Sequence, residues 1–274
     1  YEGGWGNELA EYVKRPNGKL EARWTGVIKV AHRKTIEAPL HWKTPSMVFV
    51  NSMSDLFHDR VPFNVVDEVF AIMALTRRHR FQILTKRPER MAEYLRYDER
   101  RDSWARAGDA IADRMDPQRY ANISHVGQPG RLESVFSSWP LPNVWLGVSA
   151  EDQPTFNQRV WRLAKTPAAV RFLSLEPLLG PISWEGHVVS SPWARGEAYG
   201  GRGYSPLMDF IDWVIVGGES GSDRREMDMA AARALIEQCK GAVVPIFVKQ
   251  DSGPRPGMQG RFTAEEWALK EYPR

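Results

Sequence analysis

Six short, nearly continuous apolar runs recur along the chain, and each turns polar at its C-terminal end. They are Met47–Ser52, Phe81–Lys86, Val144–Ser149, Val170–Glu176, Trp213–Glu219 and Pro245–Gln250. A strand with one wet face alternates apolar and polar residues. Runs as uniformly apolar as these belong to strands buried on both faces, as in a parallel sheet covered by helices. Helical patterns lie between them. Asn64 can cap a segment carrying Val65, Val66, Val69, Ile72 and Met73 on one face. Pro88 opens another through Met91 and Leu95, Pro154 opens a third reaching Leu163, and Met227–Lys240 ends at Gly241. Strand alternating with helix predicts right-handed crossovers and an α/β fold with a parallel sheet.

Two stretches interrupt this rhythm. Residues 97–140 hold a charged segment and then a loop, and residues 184–207, rich in Gly, Ser, Pro and Arg, resemble an insertion or lid. Residues 1–46 stand apart as an atypical N-terminal segment with a predicted edge strand at Trp24–Val30. The expected organisation is this segment, an α/β unit over 47–252 and a C-terminal tail over 253–274.

Composition narrows the function classes. With 274 residues, 42% of them apolar and 26% charged, the chain can bury a sizeable core in one domain. No apolar run approaches the roughly 18 residues of a membrane span, and the N-terminus carries no signal-peptide core, so a cytoplasmic location and no membrane partner are expected. The net charge of +3 does not by itself argue for nucleic acid. Local basic clusters at Arg77, Arg78 and Arg80, at Lys86, Arg87 and Arg90, and at Arg224 and Arg225 suit either solvated helix ends or phosphate contacts. The single cysteine, Cys239, lies in a helical pattern and reads as a buried apolar residue.

The strand tips carry the chemistry-bearing residues. In parallel α/β folds these tips share one side, where ligands bind. Asp55, Lys86, Glu151, Glu176, Glu219 and Lys249 would be costly to bury there without pairing or a ligand. Gly217–Gly218 permits close backbone approach and offers amide donors, or simply makes a turn. Thr85-Lys86-Arg87-Pro88 sets two cations at a helix start, suited to a carboxylate or phosphate, or forms a charged surface turn. Glu176, fixed before Pro177, can hold a ribose, bind an amine or act as a base. Lys249 and Gln250 offer a cation and an amide, or an ion pair with Glu219 or Glu176. His58 reads as a surface or capping residue because no second histidine has zinc-site spacing. Trp42, Trp145 and Trp213 suit either the core or a stacking surface.

Phe49-Val50-Asn51-Ser52-Met53-Ser54-Asp55-Leu56-Phe57-His58, Leu84-Thr85-Lys86-Arg87-Pro88 and Leu146-Gly147-Val148-Ser149 resemble, in order, segments of a phage- and prophage-encoded family. So do Phe172-Leu173-Ser174-Leu175-Glu176-Pro177-Leu178-Leu179-Gly180, Val216-Gly217-Gly218-Glu219-Ser220-Gly221 and Phe247-Val248-Lys249-Gln250. The resemblance, from Trp24 to Gln250, is to the three-cysteine-motif proteins, which are similar to radical S-adenosylmethionine (SAM) enzymes. It implies a partial (β/α)6 TIM-like barrel, a [4Fe–4S] cluster on a C-x3-C-x2-C motif expected ahead of Tyr1, and S-adenosylmethionine as cofactor. It further implies a 5′-deoxyadenosyl radical that modifies a nucleobase, nucleotide or peptide. Cofactor contacts are then expected from Ser149, Ser174, Glu176, Gly217 and Gly218, and substrate contacts from Asn51, Asp55, Lys86, Arg87 and Gln250. Glu176, Glu219 and Lys249 are the candidate catalytic groups. These 274 residues contain no such cysteine motif and supply no evident metal ligands. Two alternatives stand beside this expectation: a non-redox barrel lyase or hydrolase using Glu176, Glu219 and Lys249, and a cluster-free module gripping nucleic acid through Arg77, Arg78, Lys86 and Arg87.

Overall fold

Strands that follow one another in sequence lie side by side in space, all parallel, in one six-stranded sheet curled into a half-barrel. The computed structural model describes residues 9–14, 18, 20–52, 54–96, 100–116, 139–190 and 205–273. Ahead of the sheet, β1 (Ala10–Lys14) and β2 (Leu20–Trp24) pair antiparallel as a separate hairpin. The half-barrel runs β3 (Met47–Val50), β4 (Arg80–Thr85), β5 (Val144–Ser149), β6 (Val170–Leu175), β9 (Trp213–Gly217) and β10 (Ile246–Gln250). Between β6 and β9, β7 (Val188–Val189) and β8 (Ser205–Pro206) form a two-stranded antiparallel pair.

The helices are α1 (Arg33–Ile36), α2 (Phe63–Leu75), α3 (Pro88–Arg96), α4 (Arg100–Ala112), α5 (Gln153–Ala164), α6 (Met229–Gly241) and α7 (Ala264–Trp267). Helix α5 starts where the sequence predicts. Asp152 accepts from the Thr155 amide, Thr155 reaches back to the Asp152 amide, and Pro154 fills the first turn. Helix α2 starts one residue before the expected cap: Pro62 stands at the N-cap and Asn64 lies inside the first turn. Asp228 caps α6 through its Ala230 and Ala231 amides, two residues later than the predicted start. The predicted edge strand at Trp24–Val30 is not formed, because pairing with β1 ends the strand at Trp24. Within 97–140 the charged segment forms α4, and residues 97–99 and 117–138 lie outside the described residues. The 184–207 insertion contributes β7 and β8, with residues 191–204 likewise outside them.

Alternate residues of each strand face opposite sides. The convex side carries Leu146, Val148, Leu173, Leu175, Val214, Val216 and Val248, packed with Val66, Phe70, Met91, Phe156, Val160 and Leu235 from the helices into the main core. The concave side forms a second, smaller cluster of Trp145, Val170, Phe172, Trp213 and Ile215. The C-terminal tail seals one edge of the sheet. The Val248 amide donates to the Leu269 carbonyl at 2.8 Å, and the Glu271 amide to the Ile246 carbonyl at 3.1 Å. A strand edge so covered no longer offers a template for other chains.

A buried polar knot ties the 38–46 strap to the base of β4. The Ser46 amide donates to His79 Nδ1 at 3.1 Å, and His79 Nε2 lies 3.2 Å from the Pro39 carbonyl. Arg78 donates to the Pro39, Leu40 and Trp42 carbonyls. Burial holds the His79 imidazole below its ordinary pKa, with the nearby Arg78 charge adding to the effect and the Pro39 carbonyl opposing it.

Candidate ligand-binding site at the C-terminal mouth

Strand register sorts the concave side chains into rows. Phe49, Gln82, Trp145 and Val170 lie level with one another, then Leu84, Gly147, Phe172 and Trp213, then Ser149, Ser174, Ile215 and Phe247. Glu176 and Lys249 stand beyond the third row. The inner face therefore grades from aromatic at the base to polar at the mouth. The aromatic rows interlock: Trp213 meets Trp145, Phe172, Phe247 and Tyr272 at ring-centroid separations of 5.9, 5.7, 6.1 and 5.3 Å. Glycine at 147 makes this possible, because a Cβ there would lie 2.4 Å from the Phe172 ring. Above and beside these rows opens a cavity of roughly 1870 Å3.

The mouth is built from charge pairs. Glu176 accepts from the Ser174 hydroxyl at 3.0 Å and from Lys249 Nζ at 3.2 Å. Of the two partners that the sequence leaves open for Lys249, the structure selects Glu176. Gly217 makes room for this carboxylate, since a Cβ there would sit 2.5 Å from Glu176 Oε1. Glu151 is gripped by Lys86 and by Arg159. Burial opposes ionisation of Glu151, but the two cations outweigh it and hold its carboxyl below the ordinary value. Glu219 is chelated by the Arg225 side chain and amide, which hold its carboxyl below the ordinary value as well.

Several predicted site residues line the cavity while already serving the fold. Asp55 organises the β3–β4 tips: it accepts from the Phe57 amide at 2.9 Å, the Thr85 hydroxyl at 2.8 Å, the Lys86 amide at 3.0 Å and Arg87 Nη1 at 3.1 Å. Gln250 donates to the Gly218 carbonyl at 2.7 Å and accepts from the Gly257 amide at 2.9 Å. The expectation that the Gly217–Gly218 amides are free to donate fails at Gly218, whose amide bonds the Gln250 carbonyl at 2.9 Å. The physical reason is crowding, since the 251–253 loop packs so tightly that a Cβ at 218 would meet the Ser252 amide nitrogen at 2.3 Å. Ser149, Ser174 and Asn51 do line the cavity, and Asn51 holds a left-handed φ of 60° that asparagine tolerates. His58 makes a turn, its Nδ1 accepting from the Arg60 amide at 3.1 Å.

The structure also brings forward residues that the sequence reading passes over. Arg159 reaches from α5 to Glu151 at 3.1 Å and to the Ser149 carbonyl at 2.7 Å. Lys270, from the tail, lies 3.4 Å from the Trp267 ring centroid, 4.9 Å from that of Phe247 and bonds the Val248 carbonyl. Neither has a local motif. Gln82 does have a signal, a lone amide inside the apolar run Phe81–Leu84. The basic residues Arg77, Arg78, Lys86 and Arg87 do not form one patch. The first two precede β4 and the last two follow it, about 20 Å apart at roughly 3.3 Å per strand residue.

No group of His, Cys, Asp or Glu suited to a metal ion occurs among the described residues. An iron–sulfur cluster held by three thiolates finds no cradle in this chain. Its sole cysteine, Cys239, is fully buried within α6, and burial pushes its thiol up to about 12. No described helix is long and apolar enough to cross a membrane.

A family match extends over residues 7–266. The chain belongs to the DUF5131 family, described as protein of unknown function. The DUF5131 match takes in the β1–β2 hairpin, the whole half-barrel and most of α7, so hairpin, barrel and tail are parts of one family unit. No curated protein and no solved structure matches the chain.

Proposed function

We propose that the half-barrel binds S-adenosylmethionine across its C-terminal mouth and serves chemical modification of a second molecule held in the same cavity. The observation that carries this reading is the Glu176–Lys249 pair, standing on the tips of β6 and β10 above the aromatic rows. A cofactor with a zwitterionic amino acid at one end and an adenine at the other matches that grading. Its ammonium suits Glu176, its carboxylate suits Lys249, and its nucleoside suits Ser149, Ser174 and Phe247 of the third row. When bound, S-adenosylmethionine supplies an activated sulfonium whose carbon–sulfur bonds are the reactive ones. The [4Fe–4S] cluster that the resemblance implies needs ligands from outside residues 1–274.

Two carboxylates of the mouth are already paired with cations. Glu151 and Glu219 are both held as anions by arginine or lysine partners. Isothermal titration of the protein with S-adenosylmethionine and S-adenosylhomocysteine tests the proposal. Saturable one-site binding is expected, weakened at least about tenfold in Glu176→Ala and Lys249→Ala, or about 1.4 kcal/mol. Absence of binding to the unsubstituted protein, or undiminished binding by both variants, overturns it.

A further inference from the structure

The cavity is larger than one cofactor needs. Pockets that enclose a single drug-sized ligand run to about 300–1000 Å3, against roughly 1870 Å3 here. Its deep half, toward β3 and β4, is walled by Met47, Phe49, Leu84 and Phe172. One amide interrupts that wall. Gln82 is only 7% exposed, yet it lines the cavity, level with Phe49 on one side and Trp145 on the other. Its Nε2 donates only to the Met47 thioether, at 2.9 Å, a weak acceptor. No described residue donates to its Oε1. Gln250, the other buried cavity amide, has both ends engaged by backbone. An amide whose oxygen opens onto a cavity, rather than being sealed in the protein, offers a ligand free hydrogen-bonding capacity.

We infer that Gln82 reads the hydrogen-bonding edge of a nucleobase held in the deep half of the cavity, the second molecule of the proposed reaction. A carboxamide presents a donor and an acceptor side by side in one plane. Nucleobases carry the complementary pair on their edges, as adenine does at N6 and N7. The neighbouring aromatic side chains suit a flat heterocycle, and Phe49, 43% exposed, offers an open ring face for stacking. The site is separate from the cofactor's amino-acid end. Val170 is level with the Gln82 row, and Glu176 lies six residues farther along, about 20 Å at roughly 3.3 Å per residue. The inference rests on the cofactor reading above, and the experiment separates the two.

The test is ligand-observed NMR with adenosine, guanosine, cytidine and uridine, and N-acetylglycinamide as a non-base amide, each with and without saturating S-adenosylmethionine. At least one nucleoside is expected to bind beside the cofactor. Its affinity should fall at least tenfold in Gln82→Met, which keeps the side-chain length and removes the amide. Gln82→Glu should shift preference toward cytidine, whose N4 amino group donates to a carboxylate. Thermal melting reports whether each variant folds; if Gln82→Met does not, Gln82→Asn, with the same amide on a shorter stem, should show the tenfold loss. Binding of S-adenosylmethionine should be unchanged throughout. No nucleoside binding, tighter binding of N-acetylglycinamide, or unaltered nucleoside affinity in the variants overturns the inference. Weaker S-adenosylmethionine binding in Gln82→Met overturns it too, because the cofactor's own adenine then occupies the site. If the unsubstituted protein binds nucleosides but not S-adenosylmethionine, the cofactor reading fails while Gln82 recognition stands.

Discussion

The two faces of the half-barrel are made by the same strands, yet they obey different rules. On the convex face Leu146, Leu173, Val214 and Val248 are interchangeable in kind: each is apolar, fully buried and surrounded by helix side chains. On the concave face neighbouring positions differ sharply. Gly147 yields space to Phe172, Gly217 yields space to Glu176, and Gln82 sits among apolar residues without a strong protein partner. A face filled by protein needs only volume and polarity to match. A face left open must fix where each group points, so individual residues matter there. The first face holds the sheet together and the second lines the cavity.

The largest expected effect belongs to the convex face. Leu173→Ala should destabilise by about 2–5 kcal/mol, because Leu173 is fully buried and its removal leaves a cavity. Urea unfolding measures this, and ligand affinity of the folded fraction should not change. A parallel loss of affinity would break the separation between the faces. Gly217→Ala comes next. The added Cβ must displace the Glu176 carboxylate, 2.5 Å away, at a small stability cost because only the end of a flexible side chain has to move. Titration should show S-adenosylmethionine affinity falling at least about tenfold; if Gly217→Ala binds normally, Glu176 does not hold the cofactor. Glu176→Gln should move stability by less than about 1 kcal/mol, since its lysine partner is half-exposed, while still weakening the cofactor about tenfold. That contrast between melting and titration sharpens the division between structural and binding roles.

The smallest effect concerns the base of the barrel and its pH dependence. His79 is depressed by burial, so the folded protein takes up its proton at lower pH than the unfolded chain does. Its contribution is fully present above about 6.5, the unfolded value, and is lost as pH falls through the folded value. Thermal melts between pH 7 and pH 5 should show stability declining, and His79→Gln should flatten that decline. An unchanged slope would mean that other groups set it.

The convex face was readable in the amino-acid sequence, and so were the tips. A strand buried on both sides must be apolar throughout, so the six runs stood out before any contact was known. The prolines at 88 and 154 mark helix starts by local chemistry alone. Residues Asp55, Glu151, Glu176, Glu219 and Lys249 were legible as strand-tip groups for the same local reason. Their partners were not. Lys86 with Glu151, Arg159 with Glu151 and Lys249 with Glu176 join residues far apart in the chain, or on a strand and a following helix, and only strand order and register bring them together.

The sequence by itself determined that this chain forms a parallel α/β sheet with polar tips, because side-chain periodicity and turn chemistry act over a few residues. Only the tertiary structure decided which tips are engaged by the fold and which face the cavity. It committed Asp55 and Gln250 to neighbouring loops, closed the β10 edge with the tail, and left Gln82 on the inner wall. Those outcomes depend on how strands at distant positions come level across a curled sheet, a relation that no stretch of sequence contains.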